Sequence, residues 1–259
     1  MSKFSMVIQQ AGYQKLINDT LGDKEIARQF VADISTVVSG NYLLQNCDAG
    51  TILSAGLVAT SLKLPLTQSL GFAYVIPYGN KAQFQLGWKG LVQLAQRSGQ
   101  FERLGVRPVH EGEHIGQDEF GEDLFKFSHE FDNKPIIGYY AYFKLTNGFT
   151  KTLYWTKEQC LAHGKRYSKS FNAKGETNVW RDLEEQMCEK TVMKQLLSKY
   201  APLSVELQKA VIYDQSVIHT DGTYEYVDND SNPIQKGSKE IKPDEDIVVD
   251  VQPTTDKEE

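Results

Sequence analysis

Residues 69–101 read SLGFAYVIPYGNKAQFQLGWKGLVQLAQRSGQF. FAYVIPY and AQFQLG are rich in β-branched and aromatic residues, and YGNK between them carries turn residues. This pattern predicts two strands joined by a tight turn. The period then changes. Trp88, Leu91, Val92 and Ala95 recur at i, i+3, i+4 and i+7, which predicts a helix from Trp88 to Ser98. Gly99 closes it. A strand pair here runs directly into a helix.

Working outward, residues 12–40 show helical spacing through Leu16, Ile17, Leu21, Ile26, Phe30, Ile34 and Val37, broken at Gly22-Asp23 and Gly40-Asn41. A second helix is expected from about Ala49 to Leu62, with Asp48 as N-cap and Pro65 beyond its end. Further strands are expected at 103–109 and 124–131. IIGYYAYFKLTNGFTKTLYWT predicts a hairpin turning on the two residues Asn147-Gly148. Thr156 and Gln159 form a capping-box pattern that opens a helix to about Tyr167. Residues 168–178 are polar and read as a mobile loop. A long C-terminal helix is expected over Val179–Tyr200, stopped by Pro202, and a shorter one over Val205–Tyr213. Residues 214–259 are poor in core residues and read as a disordered tail. The chain therefore divides into an N-terminal helical segment (1–48), a core (49–213) and a tail (214–259).

The chain has 259 residues, a formal net charge of −6 and 40 % hydrophobic residues. That composition fits a globular protein with a sizeable core. No apolar run is long enough to span a bilayer, and no secretory signal is visible, so no membrane role is expected. Cys47, Cys160 and Cys188 lack CxxC spacing, which fits a reducing cytoplasm better than a disulfide framework.

The net charge hides an asymmetry. Residues 214–259 carry 13 acids and 4 bases, a net of −9, which leaves +3 for residues 1–213. The body is mildly basic, so the acidic total does not argue against a polyanionic partner. From Ala49 to Phe101 there are fifty-three residues without Asp or Glu. Helical lysines are usually balanced by an acid at i±3 or i±4. Lys89 and Arg97 have none there. Lys190 and Lys194 also have none, and lie i, i+4 to each other beside the apolar stripe of the long helix. Such placement is explained by an external anion. The segment HGKRYSKSFNAKGETNVW adds Lys165, Arg166, Lys169 and Lys174 among Tyr167, Phe171 and Trp180, a pairing of phosphate-binding cations with stacking surfaces. Gln83 and Gln85 put neutral hydrogen-bonding groups on one face of their strand, with Lys81 at its start.

HEGEH at 110–114 matches a zinc-binding pattern letter for letter. The chemistry of that pattern needs a helix to put both histidines on one face. Pro108 and Gly112 argue instead for a strand running into a loop, and His110 and His114 are read as loop residues. There is no GxxxxGK[ST] loop and no GxGxxG. The acids of 111–123 read as a surface loop rather than a metal site. No catalytic constellation, metal or cofactor is expected.

The block LGFAYVIPYGNKAQFQLGWKGLVQLAQRSGQ closely resembles the central block of the RecT family of phage recombinases. WRDLEEQMCEKTVMKQLLSKYAPLSVELQKAV resembles that family's C-terminal helical block, and the likeness covers about residues 10–213. The resemblance implies ATP-independent binding of single-stranded DNA and annealing of complementary strands in the bacterial host cytoplasm. It also implies an α+β fold, a small antiparallel β-sheet packed with helices, together with rings or helical filaments, a phage exonuclease partner and contact with the host single-strand-binding protein. By resemblance and charge pairing, the expected DNA contacts are Lys81, Lys89, Arg97, Lys190 and Lys194, then Arg103, Arg107, Lys165, Arg166 and Lys169, with Gln83 and Gln85 as backbone contacts. A protective binder that does not anneal, a metal-dependent nuclease using the 111–123 acids, and a basic structural protein are the rival readings.

Overall fold

The structure is a computed structural model and describes residues 3–168, 171, 178–202 and 204–226. It opens with α1 (Lys3–Ile8), α2 (Ala11–Leu21) and α3 (Lys24–Ser39). Gly22 adopts a left-handed conformation, and the Asp23 carboxylate caps α3 by accepting from the Glu25 and Ile26 N–H groups. α4 (Ala49–Ser61) follows, capped by Asp48, which accepts from Thr51 N at 3.0 Å. Every residue from Gly50 to Ala59 is buried, as suits a helix that is apolar all round.

β1 (Ala73–Tyr78) and β2 (Lys81–Leu86) pair antiparallel in the register Tyr78↔Lys81 to Ala73↔Leu86. α5 (Trp88–Arg97) buries Leu91, Leu94 and Ala95. β3 (Phe101–His110) leads to a small arm, β4 (His114–Gln117) and β5 (Asp123–Phe125). Only the start of the strand expected at 124–131 is extended; residues 129–131 form a single 3₁₀ turn capped by Ser128. β6 (Ile136–Leu145) and β7 (Thr150–Thr156) form the expected hairpin. Its loop has three residues, not two: Leu145 N donates to Phe149 O, Gly148 N donates to Leu145 O, and Gly148 takes φ 90°. α6 (Lys157–Tyr167) carries the full Thr156/Gln159 capping box. The long helix is broken at Leu183 into α7 (Val179–Asp182) and α8 (Glu184–Tyr200). α9 (Val205–Tyr213) is capped by Ser204.

The chain does not leave the body at Tyr213. β8 (Ser216–Ile218) pairs with β2, and β9 (Tyr224–Glu225) pairs with β8. The boundary expected at 213 is therefore corrected: residues 214–226 complete a four-stranded antiparallel sheet ordered β1-β2-β8-β9. A second sheet is ordered β3-β6-β7. α4 packs on the first sheet and α8 on the second. The fold is α+β, as expected. Among the described residues no helix is long and apolar enough to cross a membrane.

The glycines of the central block join the two layers. A Cβ at Gly87 would lie 2.1 Å from Gly71 O, and one at Gly90 would lie 2.1 Å from Phe72 O. Only bare backbone lets the start of α5 sit this close to residues 71–72. Gly90→Ala gains about 1 kcal/mol in helix propensity. The clash is with backbone and outweighs that gain, so a net loss of about 2–3 kcal/mol is expected. A thermal melt checks this; a variant at least as stable as the parent would contradict the packing.

Candidate nucleic-acid interface

The best-developed polar site lies where α6, α8 and the end of β2 meet. Lys190 Nζ donates to Leu86 O at 2.5 Å. Lys194 Nζ donates to Asp214 Oδ2 at 2.7 Å, and Leu86 N donates to Asp214 Oδ1 at 2.8 Å. Asp214 is 2 % exposed. The external anion that the sequence suggested for this lysine pair is thus corrected in part: an internal carboxylate already stands between them. It came from the segment assigned to the tail.

Two cations share one carboxylate here, so the site keeps an excess of positive charge. Burial would raise the Asp214 carboxyl, but Lys194, Lys190 and the donated hydrogen bonds outweigh it and hold the carboxyl below its usual range. Burial pushes the Lys190 ammonium down, and Lys194 adds to this, while Asp214 opposes it. His163 is held below its usual value by burial and then by Lys194 and Arg166. Arg166 lies three positions beyond His163 on α6, near enough to act on it. Its guanidinium lies 5.2 Å from the Tyr167 ring centre. A cavity of about 60 Å³ is lined by His163, Tyr167, Trp180, Lys190, Lys194 and Asp214 among others. That is room for roughly four waters. Lys165 and Arg166 are exposed in the last turn of α6. α5 begins at Trp88, two residues beyond Leu86, so its positive dipole end lies beside Lys190.

The other expected contacts do not join this site. Lys81 is ion-paired with Glu225. Gln83 is 7 % exposed because β2 runs between β1 and β8, and its Nε2 has no hydrogen-bond partner. It is therefore not on an open polar face; Gln85 is half-buried. Lys89 is exposed, with its stem along Gly71. Arg97 donates to Leu62 O at 2.6 Å on a different side of α5. Arg103 is exposed on β3, and Arg107 pairs with the buried Glu113 at 3.2 Å while its guanidinium lies 4.0 Å from the Phe127 ring centre. Lys169 lies outside the described residues, as does most of the 168–178 loop.

HEGEH spans the end of β3 and the start of β4, not a helix. His110 Nδ1 contacts Lys134 O at 2.7 Å, and His114 Nε2 contacts Asp123 at 2.9 Å. Glu113 accepts from His110 N at 2.8 Å and closes the turn.

Three contributors were missed by the sequence reading: Asp214, His163 and Glu225. A signal for two of them existed. SVIHTDGTYEY contains Asp221-Gly222 between short alternating runs, which is hairpin chemistry.

The fold and the site define an α+β protein with a cation-rich cleft built around an internal carboxylate. The sequence comparisons give the family. Residues 28–231 match the RecT family. The chain is 42 % identical over 198 residues to the Bacillus subtilis (strain 168) protein YqaK, covering 76 % of this chain and 67 % of that one. It is 32 % identical over 199 residues to Protein RecT of Escherichia coli (strain K12), covering 73 % and 71 %. The chain belongs to the RecT family, and is a DNA-recombination protein of the annealing kind.

Proposed function

We propose that the chain binds single-stranded DNA and anneals complementary strands without nucleotide hydrolysis, acting as an oligomer. The observation that carries this reading is that Lys190, Lys194 and His163 line one cavity that holds a single carboxylate, with Arg166 exposed on the adjoining turn of α6. Annealing makes and breaks no covalent bond. Its barrier is repulsion between two phosphate backbones while bases must stay free to pair. Fixed cations lower that repulsion. Tyr167 and the Arg166 plane offer stacking that does not read base identity. The reading needs no catalytic residue, metal or cofactor. A phage exonuclease that supplies single strands and a host single-strand-binding protein that coats them are the expected partners, in the bacterial cytoplasm.

The test mixes complementary oligonucleotides labelled with a fluorophore and a quencher, without nucleotide. Duplex formation is expected to speed up by on the order of ten-fold or more, as expected when phosphate repulsion is screened locally. Binding without acceleration would make the protein a protector rather than an annealer. Shortened product strands with Mg²⁺ would make it a nuclease.

A further inference from the structure

The β4–β5 arm presents apolar side chains that stand exposed among the described residues. Phe120 is 83 % exposed, Ile115 59 % and Leu124 43 %. The arm is not a loose loop. Asp118 Oδ1 accepts from Phe120 N at 2.9 Å and from Glu122 N at 2.8 Å, which fixes the tip. Glu122 pairs with Lys151 of β7, which ties the arm to the β3-β6-β7 sheet, and Asp123 contacts His114 at 2.9 Å, which holds β4 to β5 within the arm. Residues 111–132 carry eight carboxylates and one lysine. The tip is therefore a fixed aromatic ring flanked by Asp118 and Glu119. Such a surface is a poor match for DNA and a good match for a basic pocket.

The same chain holds such a pocket elsewhere. A cavity of about 190 Å³ lies between the ends of α4, α5 and α9. Leu62 and Leu94 line it, with Lys63, Arg97, Ser204 and Glu206. Lys209 lies beside it, its Nζ 3.3 Å from Ser61 Oγ, so three cations face one carboxylate there. Val205, 77 % exposed, extends the apolar surface at its edge. A cavity of ~150 Å³ holds benzene, so the volume here admits a phenyl ring, with Leu62 and Leu94 as its apolar walls and Ser61, Ser98 and Ser204 around them. Arg97 donates to Leu62 O at 2.6 Å, which holds its guanidinium at the cavity.

We infer that the arm of one copy docks in this pocket on the next copy, with Phe120 in the cavity and Asp118 and Glu119 against Lys63 and Arg97. Knob and socket are different surfaces, so the contact is head-to-tail and repeats into a ring or a helical filament. The inference deepens the proposed reading as an oligomer and rests on it. It moves Arg97 from the DNA contacts to the subunit contact.

Sedimentation of the full chain at about 0.1 M salt tests it. Phe120→Ser is expected to weaken assembly by about ten-fold or more, the loss of one buried aromatic anchor, with an unchanged melting curve because the side chain is exposed. Glu119→Lys and Lys63→Glu are each expected to weaken assembly, and the two together to restore it. Assembly of Phe120→Ser like the parent, a parent that stays monomeric, or a charge-swapped pair no better than its single variants would each overturn the inference. Binding of a short single-stranded oligonucleotide is measured on the same samples. Phe120→Ser that sediments as a monomer yet still binds separates the subunit contact from the DNA reading; a parent that assembles but binds no DNA sinks the DNA reading alone.

Discussion

Asp214→Ala is expected to lower the melting temperature by roughly 6–20 °C. Removing one partner of a buried ion pair costs about 3–5 kcal/mol, and each kcal/mol shifts a domain of this size by about 2–4 °C. The cost is high because the carboxylate serves three groups at once. It accepts from Lys194 and from Leu86 N, and it offsets the charge of Lys190, which burial already disfavours. Without it, two ammonium groups face each other in a cleft that offers little water. Lys190→Met should be close to neutral, because a charge whose folded pKa is depressed costs stability at neutral pH, while the Met stem keeps the packing. The pH dependence follows from direction. The Asp214 carboxyl titrates lower in the folded chain than in the unfolded one, where it is near 3.9. Its contribution is complete above that value and is lost as pH falls through the lower, folded value. Acid melting of Asp214→Ala should therefore be flatter below about pH 4 than that of the parent. A chain cut after Tyr213 should fail at least as badly, since it also loses β8 and β9; one cut after Tyr226 keeps both. An Asp214→Ala variant that melts like the parent would mean the network carries no net stability.

How much of this was legible in the sequence depends on which signals are local. The β1-β2 turn, the α4 and α6 caps and the α5 stripe were readable because each is fixed by residues within a few positions. The break at Leu183 was not: the helical period continues through it, and the non-helical backbone there, with φ −134° and ψ 44°, has no Gly or Pro to mark it. Charge pairing was read correctly within helices and failed across them. Lys81 has no acid nearby in sequence, yet meets Glu225, 144 positions away. Lys194 meets Asp214, 20 positions away, across a helix and a turn. Averaging acids over 214–259 hid both partners, since a mainly acidic segment can begin with core residues. Gln83 shows the same limit: alternation puts it opposite Phe84, but only the sheet order reveals that its strand is central.

Lys165→Ala/Arg166→Ala should produce the largest loss in DNA binding at unchanged stability. Both side chains are exposed in the last turn of α6, and no carboxylate among the described residues is ion-paired with them. Lys194 differs, because its removal breaks the buried pair with Asp214 and confuses binding with folding. For single strands each phosphate contact contributes about 0.7 to the slope of log affinity against log salt. Losing two contacts should flatten that slope by about 1.4 and weaken binding by on the order of ten-fold or more near physiological salt. Annealing should slow in parallel, because the same cations reduce the repulsion between two strands. Arg97→Ala is the control that gives the result its meaning. It removes one exposed cation as well, so a protein that binds DNA through net charge alone would lose a comparable share of its salt slope. If the cleft at α6 and α8 holds the backbone, Arg97→Ala leaves the slope unchanged and alters assembly instead. Equal losses per cation removed, about 0.7 of slope for Arg97→Ala against about 1.4 for the double variant, would mean that the strand is held by the field of the whole basic body, and that the cleft around Asp214 is a structural joint rather than the binding groove.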